Sequence, residues 1–501
     1  MSFAPKSVYA RGVLARPLTS PLASRLASRL ASLLTPLLIA LLALITLPAS
    51  AASAGFESTA LDRYVQTPDD NYRYEVVEVV SGEVRGEAYK TYIVEMVSQQ
   101  WLTEAEVNLP LWVHELVITV PAGVTSDIGF LYLTGGNNEG NRRSAAPASD
   151  IKRALQTGTV VSTLYGVPSQ PLVFADDDGR RRSEDGIIAY TWDKYLRTGD
   201  DKWPLRLPMT KAAVRAMDTI TDLMLTEASP AATVDQFVVA GGSKRGWTTW
   251  TTAAVDSRVI AIMPIVIDVL NLEESFKHHF SVYGAYSLAV SDYVLNGNIA
   301  WMGTPEFAAL MKIVEPFEYR DRLTLPKFLL NSTGDEFFIP DSWRFYWDEL
   351  VGEKHLRYVP NSNHSMAETD VMNSVDAWYH AVVKNVQMPR YNWEVAGDGT
   401  ITVFTLDEPL EVLLWQARNP NERNFMQAQI GRAYTSTALA EKEPGVYQIK
   451  LDPPETGYTA YYVELAFPSG TVEPLKFSTG VKVVPDVVEH EWKMAPASAR
   501  E

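Results

Sequence analysis

Residues 238–250 read VVAGGSKRGWTTW: an apolar run closes on Gly241-Gly242, a serine follows, and a helical stretch begins. A serine hydroxyl becomes a nucleophile only when a histidine takes its proton, and that histidine needs a carboxylate to fix its tautomer. On a sharp strand-to-helix turn, Ser243 would present its hydroxyl at a helix N-terminus, where amide dipoles favour a developing negative charge. Small residues are needed there: Gly241 and Gly242 let the chain turn, and Gly246 admits close contact between strand and helix. Such a constellation performs acyl transfer. Taken alone, the stretch also reads as a glycine-rich turn with an idle serine, so its partners decide.

Downstream of Ser243 stand His278, His279, His355, His364, His380 and His490. His278 and His279 precede any further strand, His380 lies in a helical stretch, His490 lies in the tail, and His355 opens the strand HLRYV. His364, in PNSNHSM, falls on the loop at that strand's carboxyl end and is the expected base. For the carboxylate, the strand KFLLNST runs into Gly334-Asp335, which makes Asp335 the expected orienter. Glu336 is a near alternative, and Asp268, at the end of the preceding strand, is a more distant one. Backbone amides would hold the oxyanion. The strand IGFLYLT ends in Gly135-Gly136-Asn137-Asn138, so the amides of Gly136 and Asn137, with that of Lys244 directly after the serine, are the expected donors. A plain tight turn is the competing reading of Gly135-Gly136.

Serine, acid and histidine in this order, each at a strand's end, call for a parallel sheet. The runs RYEVVEVV (73–80), YKTYIVEMV (89–97) and LWVHELVITV (111–120) predict an initial antiparallel meander. From residue 128, short strands (IGFLYLT, TVVSTLY, QFVVAG, VIAIMPIVI, KFLLNST) alternate with helical stretches such as TKAAVRAMDTITDLML (210–225). That alternation implies a sheet covered by helices on both faces. With the triad order it points to an α/β-hydrolase fold. The G-x-S-x-G signature of that fold is not met: Arg245 stands in the last glycine's place, and the glycine comes one residue later.

Two interruptions break the alternation. Roughly residues 270–322, with Phe276, Phe280, Tyr283, Tyr286, Tyr293, Trp301 and Phe307, form a long insertion. It reads either as a helical cap over the site or as a packed appendage whose aromatics are core. Beyond Met388-Pro389, one-faced strand patterns (Tyr447, Ile449, Leu451; then Tyr461, Val463, Leu465, Phe467) predict a C-terminal immunoglobulin-like β-sandwich. The expected organisation is a signal peptide over 1–54, a hydrolase domain over 55–388, the sandwich over 389–484 and a tail over 485–501.

The signal peptide rests on five basic residues (Lys6, Arg11, Arg16, Arg25, Arg29), the apolar run 33–47, and small residues that allow cleavage after Ala51 or Ala54. The apolar run is short for a retained membrane anchor, so no stable span is expected after processing. With no adjacent arginine pair, the general secretory route is expected, to the periplasm or the medium. The 501-residue chain carries a formal charge of −17, which argues against nucleic acid as a partner. It has no cysteine, which removes thiol catalysis. No cofactor is expected. Asp176-Asp177-Asp178-Gly179 lacks the carboxylate that a calcium loop needs twelve positions in, where Ile187 stands, and no histidine cluster has metal-ligand spacing. GGNNEGN lacks the Lys-Ser/Thr of a phosphate loop, and Arg180-Arg181-Arg182 reads as a solvated charge run or as a grip on an anion.

The strings GGSKRGWTTW, VDSRVIAIMPIVID, NSTGDEFFIPDS, YVPNSNHS, FADDDGRRRSEDGIIAYTWDKYL and WQARNPNERNF together resemble the PhoPQ-activated pathogenicity-related protein family. The likeness spans nearly all of the mature chain. It implies an exported protein of α/β-hydrolase type, tied to a bacterial regulatory system for virulence and antimicrobial-peptide resistance, with Ser243, Asp335 and His364 at the triad positions. The expected function is a secreted serine hydrolase acting on a small-molecule or peptide substrate through an acyl-enzyme. The departure at Arg245 keeps open a non-catalytic binding or signalling protein on the same scaffold.

Overall fold

The computed structural model describes residues 56–124, 126–228 and 232–500. The expected signal peptide therefore lies outside the described residues. Among them, no helix is long and apolar enough to cross a membrane.

The chain opens with a meander, β1 (Arg73–Val84), β2 (Glu87–Gln100) and β3 (Leu111–Pro121), each strand antiparallel to the last. Arg85 and Gly86, both at positive φ, form the two-residue link that suits a right-twisted hairpin. Next come β4 (Ile128–Leu133), β5 (Val160–Leu164) and a small ribbon of β6 (Leu172–Val173) and β7 (Arg181–Arg182). The central strands are β8 (Gln236–Gly242), β9 (Val259–Ile265), β10 (Lys327–Ser332) and β11 (Lys354–Val359). One nine-stranded sheet runs in the order β1-β2-β3-β5-β4-β8-β9-β10-β11. From β5 to β11 every neighbouring pair is parallel. The helices Arg206–Thr226 and Lys244–Val255 are among those packed on it. This is an α/β-hydrolase fold. Its strand order reverses at β4, whose neighbours are the later strands β5 and β8, and the carboxyl ends of strands at such a switch point open into a crevice.

The insertion predicted near 270–322 is helical: Leu272–Tyr283, Ser291–Leu295 and Pro305–Val314 are its α-helices. Phe276, Tyr293 and Phe307 are buried.

Two antiparallel sheets follow. One orders β12 (Tyr391–Val395), β13 (Ile401–Thr405), β17 (Val446–Ile449) and β16 (Glu441–Glu443). The other orders β15 (Thr435–Ala438), β14 (Glu411–Asn419), β18 (Tyr458–Phe467) and β19 (Leu475–Ser478), with β20 (Lys482–Val484) also paired to β18. Together they make the β-sandwich. The one-faced pattern expected for β18 is not what forms, because nine of its ten residues are buried. Its second face packs on the hydrolase sheet: the Tyr462 ring lies 6.4 Å from Tyr358, and Glu464 pairs with the buried Arg357 on β11. Phe477 of β19 sits edge-on to Phe328 of β10 at 5.3 Å, and Trp393 of β12 stacks on Trp347 at 5.3 Å. From Ser58 onward the chain is one compact unit.

Candidate active site

Ser243 follows the last residue of β8 and adopts φ 58°, ψ −126°, a conformation a non-glycine residue holds only at a cost of about 1–3 kcal/mol. The turn is held from both sides, since Ser243 N donates to Ile265 O at 2.8 Å and Trp247 N donates to Ser243 O at 2.9 Å. A Cβ on Gly246 would lie 2.8 Å from Gly241 O and 3.0 Å from Ile265 O, and one on Gly241 would lie 2.8 Å from Arg245 O. The helix closes on the strand through these two glycines. Gly242 has open space, and the positive φ of the turn falls on Ser243, not on Gly241 or Gly242, which were expected to let the chain turn.

His364 Nε2 lies 2.8 Å from Ser243 Oγ, and its Nδ1 lies 3.0 and 2.9 Å from the two oxygens of Asp335. Asp335 is buried and His364 nearly so. Asp335 Oδ1 also accepts from the amide of Phe337 at 2.8 Å, which turns the carboxylate toward the imidazole. The Phe337 ring lies against His364 with centroids 4.2 Å apart. The other acids serve elsewhere. Glu336 Oε2 accepts the backbone amide of His364 at 3.1 Å, bracing the loop and leaving the ring alone. Asp268 accepts the Tyr346 and Tyr358 hydroxyls at 2.6 and 2.5 Å, and burial raises its pKa to about 8.

The other downstream histidines are placed apart from the serine. His278 faces Asp341, His279 accepts the amide of Ser287, and His355 sits between Glu353 and Tyr391.

Lys244 shares one cavity with Ser243, and its amide is at the first position of the helix. Gly136 and Asn137 line a different concavity, which shares no lining residue with that cavity. Their amides donate to no group among the described residues, whereas Gly136 O accepts from Gln170. Leu133 pairs with Gly241, so the loop after β4 leaves the sheet next to the strand that carries Ser243.

Arg245, the departure from G-x-S-x-G, finds its reason here. Its Nε donates to Val167 O at 2.5 Å and its two terminal nitrogens grip Glu184 at 2.8 and 2.6 Å, a fork-to-fork pair. The guanidinium passes so close over Gly135 that a Cβ there would meet it at 2.5 Å. Lys244 Nζ reaches Glu184 at 2.8 Å and Asp185 at 3.0 Å. Burial works against the Glu184 charge, but the Arg245 and Lys244 cations prevail and hold its carboxyl at about 2. Glu184 is itself at φ 53°, ψ −128°, with its amide fixed by Gln170 Oε1 at 2.8 Å. Two strained turns, one bearing the serine and one bearing its brace, are thus tied together by ion pairs. The triple arginine does not act as a unit. Arg181 pairs with Glu139, while the buried Arg182 pairs with Asp177.

The sandwich also reaches the site. Gln427 N donates to Gly334 O at 2.9 Å, and Gln427 Nε2 donates to Asn361 O at 2.8 Å. The Asn361 carboxamide brackets the backbone of Tyr434, donating to its carbonyl and accepting from its amide, both at 2.9 Å. Gly334 precedes Asp335, and Asn361 lies three residues before His364. Both loops therefore rest on the segment between β14 and β15. No local pattern in the sequence marks Gln427 or Asn361, because their partners are distant in the chain.

A model of the PhoPQ-activated pathogenicity-related protein family matches residues 61–426. Among curated proteins, autocrine proliferation repressor protein A of Dictyostelium discoideum is 35% identical over 478 residues, 89% of this chain and 94% of that protein. Among solved structures, an acetyl xylan esterase from Paenibacillus sp. R4 aligns with a TM-score of 0.44 at 14% identity, covering 65% of this chain and 95% of that one. Acetyl xylan esterase 1 from Thermoanaerobacterium sp. JW/SL YS485 gives 0.43 at 12% identity, with 65% and 92% covered. A glucuronoyl esterase from Solibacter usitatus gives 0.36 at 14% identity, with 65% and 90% covered.

Proposed function

We propose that this chain, which belongs to the PhoPQ-activated pathogenicity-related protein family, is an exported serine hydrolase that cleaves an ester or amide through an acyl-enzyme. The observation that carries the reading is the unbroken line Asp335–His364–Ser243, with every contact at 3.0 Å or less. In the first half-reaction Ser243 Oγ bonds to the substrate's carbonyl carbon as its proton passes to His364 Nε2. The tetrahedral oxyanion is met by backbone amides, with Lys244 on the helix side and Gly136 or Asn137 on the loop side. Collapse breaks the bond to the leaving group, which takes the proton from His364. Water then enters by the same route, and the free acid departs as Ser243 recovers its proton. Asp335 keeps the imidazole in the Nδ1–H tautomer and stabilises the imidazolium. Residues 1–54 carry the export reading, to the periplasm or the medium.

A panel of small esters and peptide amides, run on wild type and Ser243→Ala, tests the reading. Turnover of at least one member should fall by about 1000-fold or more in the variant. Turnover that survives the substitution would assign the chemistry elsewhere.

The name of the Dictyostelium relative favours a second reading, a signalling protein on a hydrolase scaffold. Under it, Ser243→Ala would retain the whole biological effect of the wild type; under the first it would lose it.

A further inference from the structure

Ser243 opens into a small, largely enclosed cavity of about 30 Å³. One water-sized sphere needs roughly 10–15 Å³ measured this way, and drug-sized ligands sit in pockets of about 300–1,000 Å³. The walls are apolar apart from the serine end and Asn298, whose buried Oδ1 has no partner among the described residues. Trp192 and Trp247 come from the hydrolase domain, and Phe276, Val290, Ile299 and Phe307 come from the cap insertion. The walls are also packed on one another: the Trp192 ring meets Trp247 at 6.1 Å and Phe307 at 6.4 Å. The charge at the serine end is already paired, since Lys244 is taken by Glu184 and Asp185, and Asp185 also accepts the Tyr293 hydroxyl at 2.9 Å.

On the other side of Phe337 the molecule is different. A groove of about 750 Å³ runs past Glu336, Tyr283, Ser287, Glu422 and Glu489. Phe337 borders both spaces and packs on His364, so it stands as a partition between a small, mostly apolar cavity and a wide groove of mixed polarity.

Resting on the serine-hydrolase reading, we propose that the closed cavity is the acyl pocket and that the substrate is an ester of a short, uncharged acid of two to four carbons. A longer chain would force the aromatic walls off their packed positions, and overpacking a close-packed wall is destabilising. An anionic acyl group would lose its hydration against these walls, and the unpaired Asn298 Oδ1, being an acceptor, could not compensate it. The cap insertion is thereby a specificity element, with Ile299 and Phe307 setting the depth. The acyl group bonds to Ser243 Oγ, the alcohol leaves with the serine's proton by way of His364, and water releases the short acid.

The test holds the leaving group constant. With p-nitrophenyl acetate, butyrate and octanoate, kcat/KM should fall by at least about 100-fold from acetate to octanoate. Ile299→Ala, which trims a partly buried wall, should raise butyrate relative to acetate by about 10-fold, and Phe307→Ala should extend the range further if it folds. A second measurement needs no turnover: diethyl p-nitrophenyl phosphate should label Ser243, read by intact mass, and its dioctyl counterpart should not. If both reagents label Ser243 and octanoate is turned over as fast as acetate, the serine-hydrolase reading stands and the short-acyl pocket is overturned. An unchanged ester profile in Ile299→Ala also overturns the pocket. If neither reagent labels a folded sample and no ester turns over, the hydrolase reading itself fails and takes the pocket with it.

Discussion

An imidazole between a carboxylate and a hydroxyl acts as a base in one tautomer only, with Nδ1 donating to the acid and Nε2 free to accept. The 2.9 and 3.0 Å contacts from His364 to Asp335 enforce that tautomer. Asp335→Asn should therefore lower kcat by on the order of 10⁴-fold, as the same change does in a serine protease triad. Glu336→Gln should lower it less than about tenfold, since the new side chain still accepts the His364 amide. Steady-state kinetics of the two variants decide between the acids, and equal losses would mean that the wrong one has been assigned. Buried histidines outside the site make a second prediction. Burial pushes both His114 and His279 down to about 4, against about 6.5 in the unfolded chain. Between those values the unfolded state binds more protons, so the stability these residues contribute is full above about pH 6.5 and is lost as pH falls to about 4. Asp268 and Glu315, raised by burial to about 8, have the opposite linkage: their contribution is full at low pH and fades as pH rises toward 8. The wild-type profile is a difference of these effects, which a substitution separates. Between pH 7 and 4.5, wild type should lose about 2 kcal/mol more than His114→Gln in urea denaturation. Parallel curves would show that His114 is not held neutral. At this scale the juxtaposition that makes the candidate site was legible where residues sit at strand ends, as with Ser243, Asp335 and His364. Glu184 was not legible, since a carboxylate in FADDDGRRRSEDG shows nothing of the Arg245 that lies across the fold.

The strands bring Ser243, Asp335 and His364 together, but loops hold them in register. The acid loop after β10 and the histidine loop after β11 share one support, Gln427, which bonds to Gly334 with its backbone and to Asn361 with its side chain. Gln427→Ala removes the second bond. Losing about 1 kcal/mol of positioning should lower kcat roughly fivefold with KM unchanged, whereas a merely structural role would shift thermal stability and leave kcat alone. The alternating texture of residues 128–388 predicted this sheet because parallel strands buried on both faces are short continuous apolar runs. β18 shows where periodicity failed. A one-faced pattern was expected of Tyr461, Val463, Leu465 and Phe467, yet Tyr462 and Glu464 are buried too, because the opposite face meets Tyr358 and Arg357. A tyrosine and a glutamate look solvent-facing until a second domain covers them.

Taken whole, hydrolase sheet, cap and sandwich converge on one serine. The sandwich covers Phe328, Tyr358 and Trp347 with aromatic side chains and seats the buried Arg423 on the buried Asp341 at 2.7 Å. A chain ending at residue 388 should accordingly be insoluble or inactive, as judged by gel filtration and labelling; a soluble, labelled truncation would contradict the arrangement. The central claim is that Ser243 is an activated nucleophile, and its most direct test is covalent. The full-length protein should take up one fluorophosphonate equivalent, mapped to Ser243 by peptide mass analysis. Ser243→Ala should take up none, and His364→Ala should react at least about 100-fold more slowly. A folded wild-type sample that stays unlabelled, or that is labelled at another residue, would contradict the account.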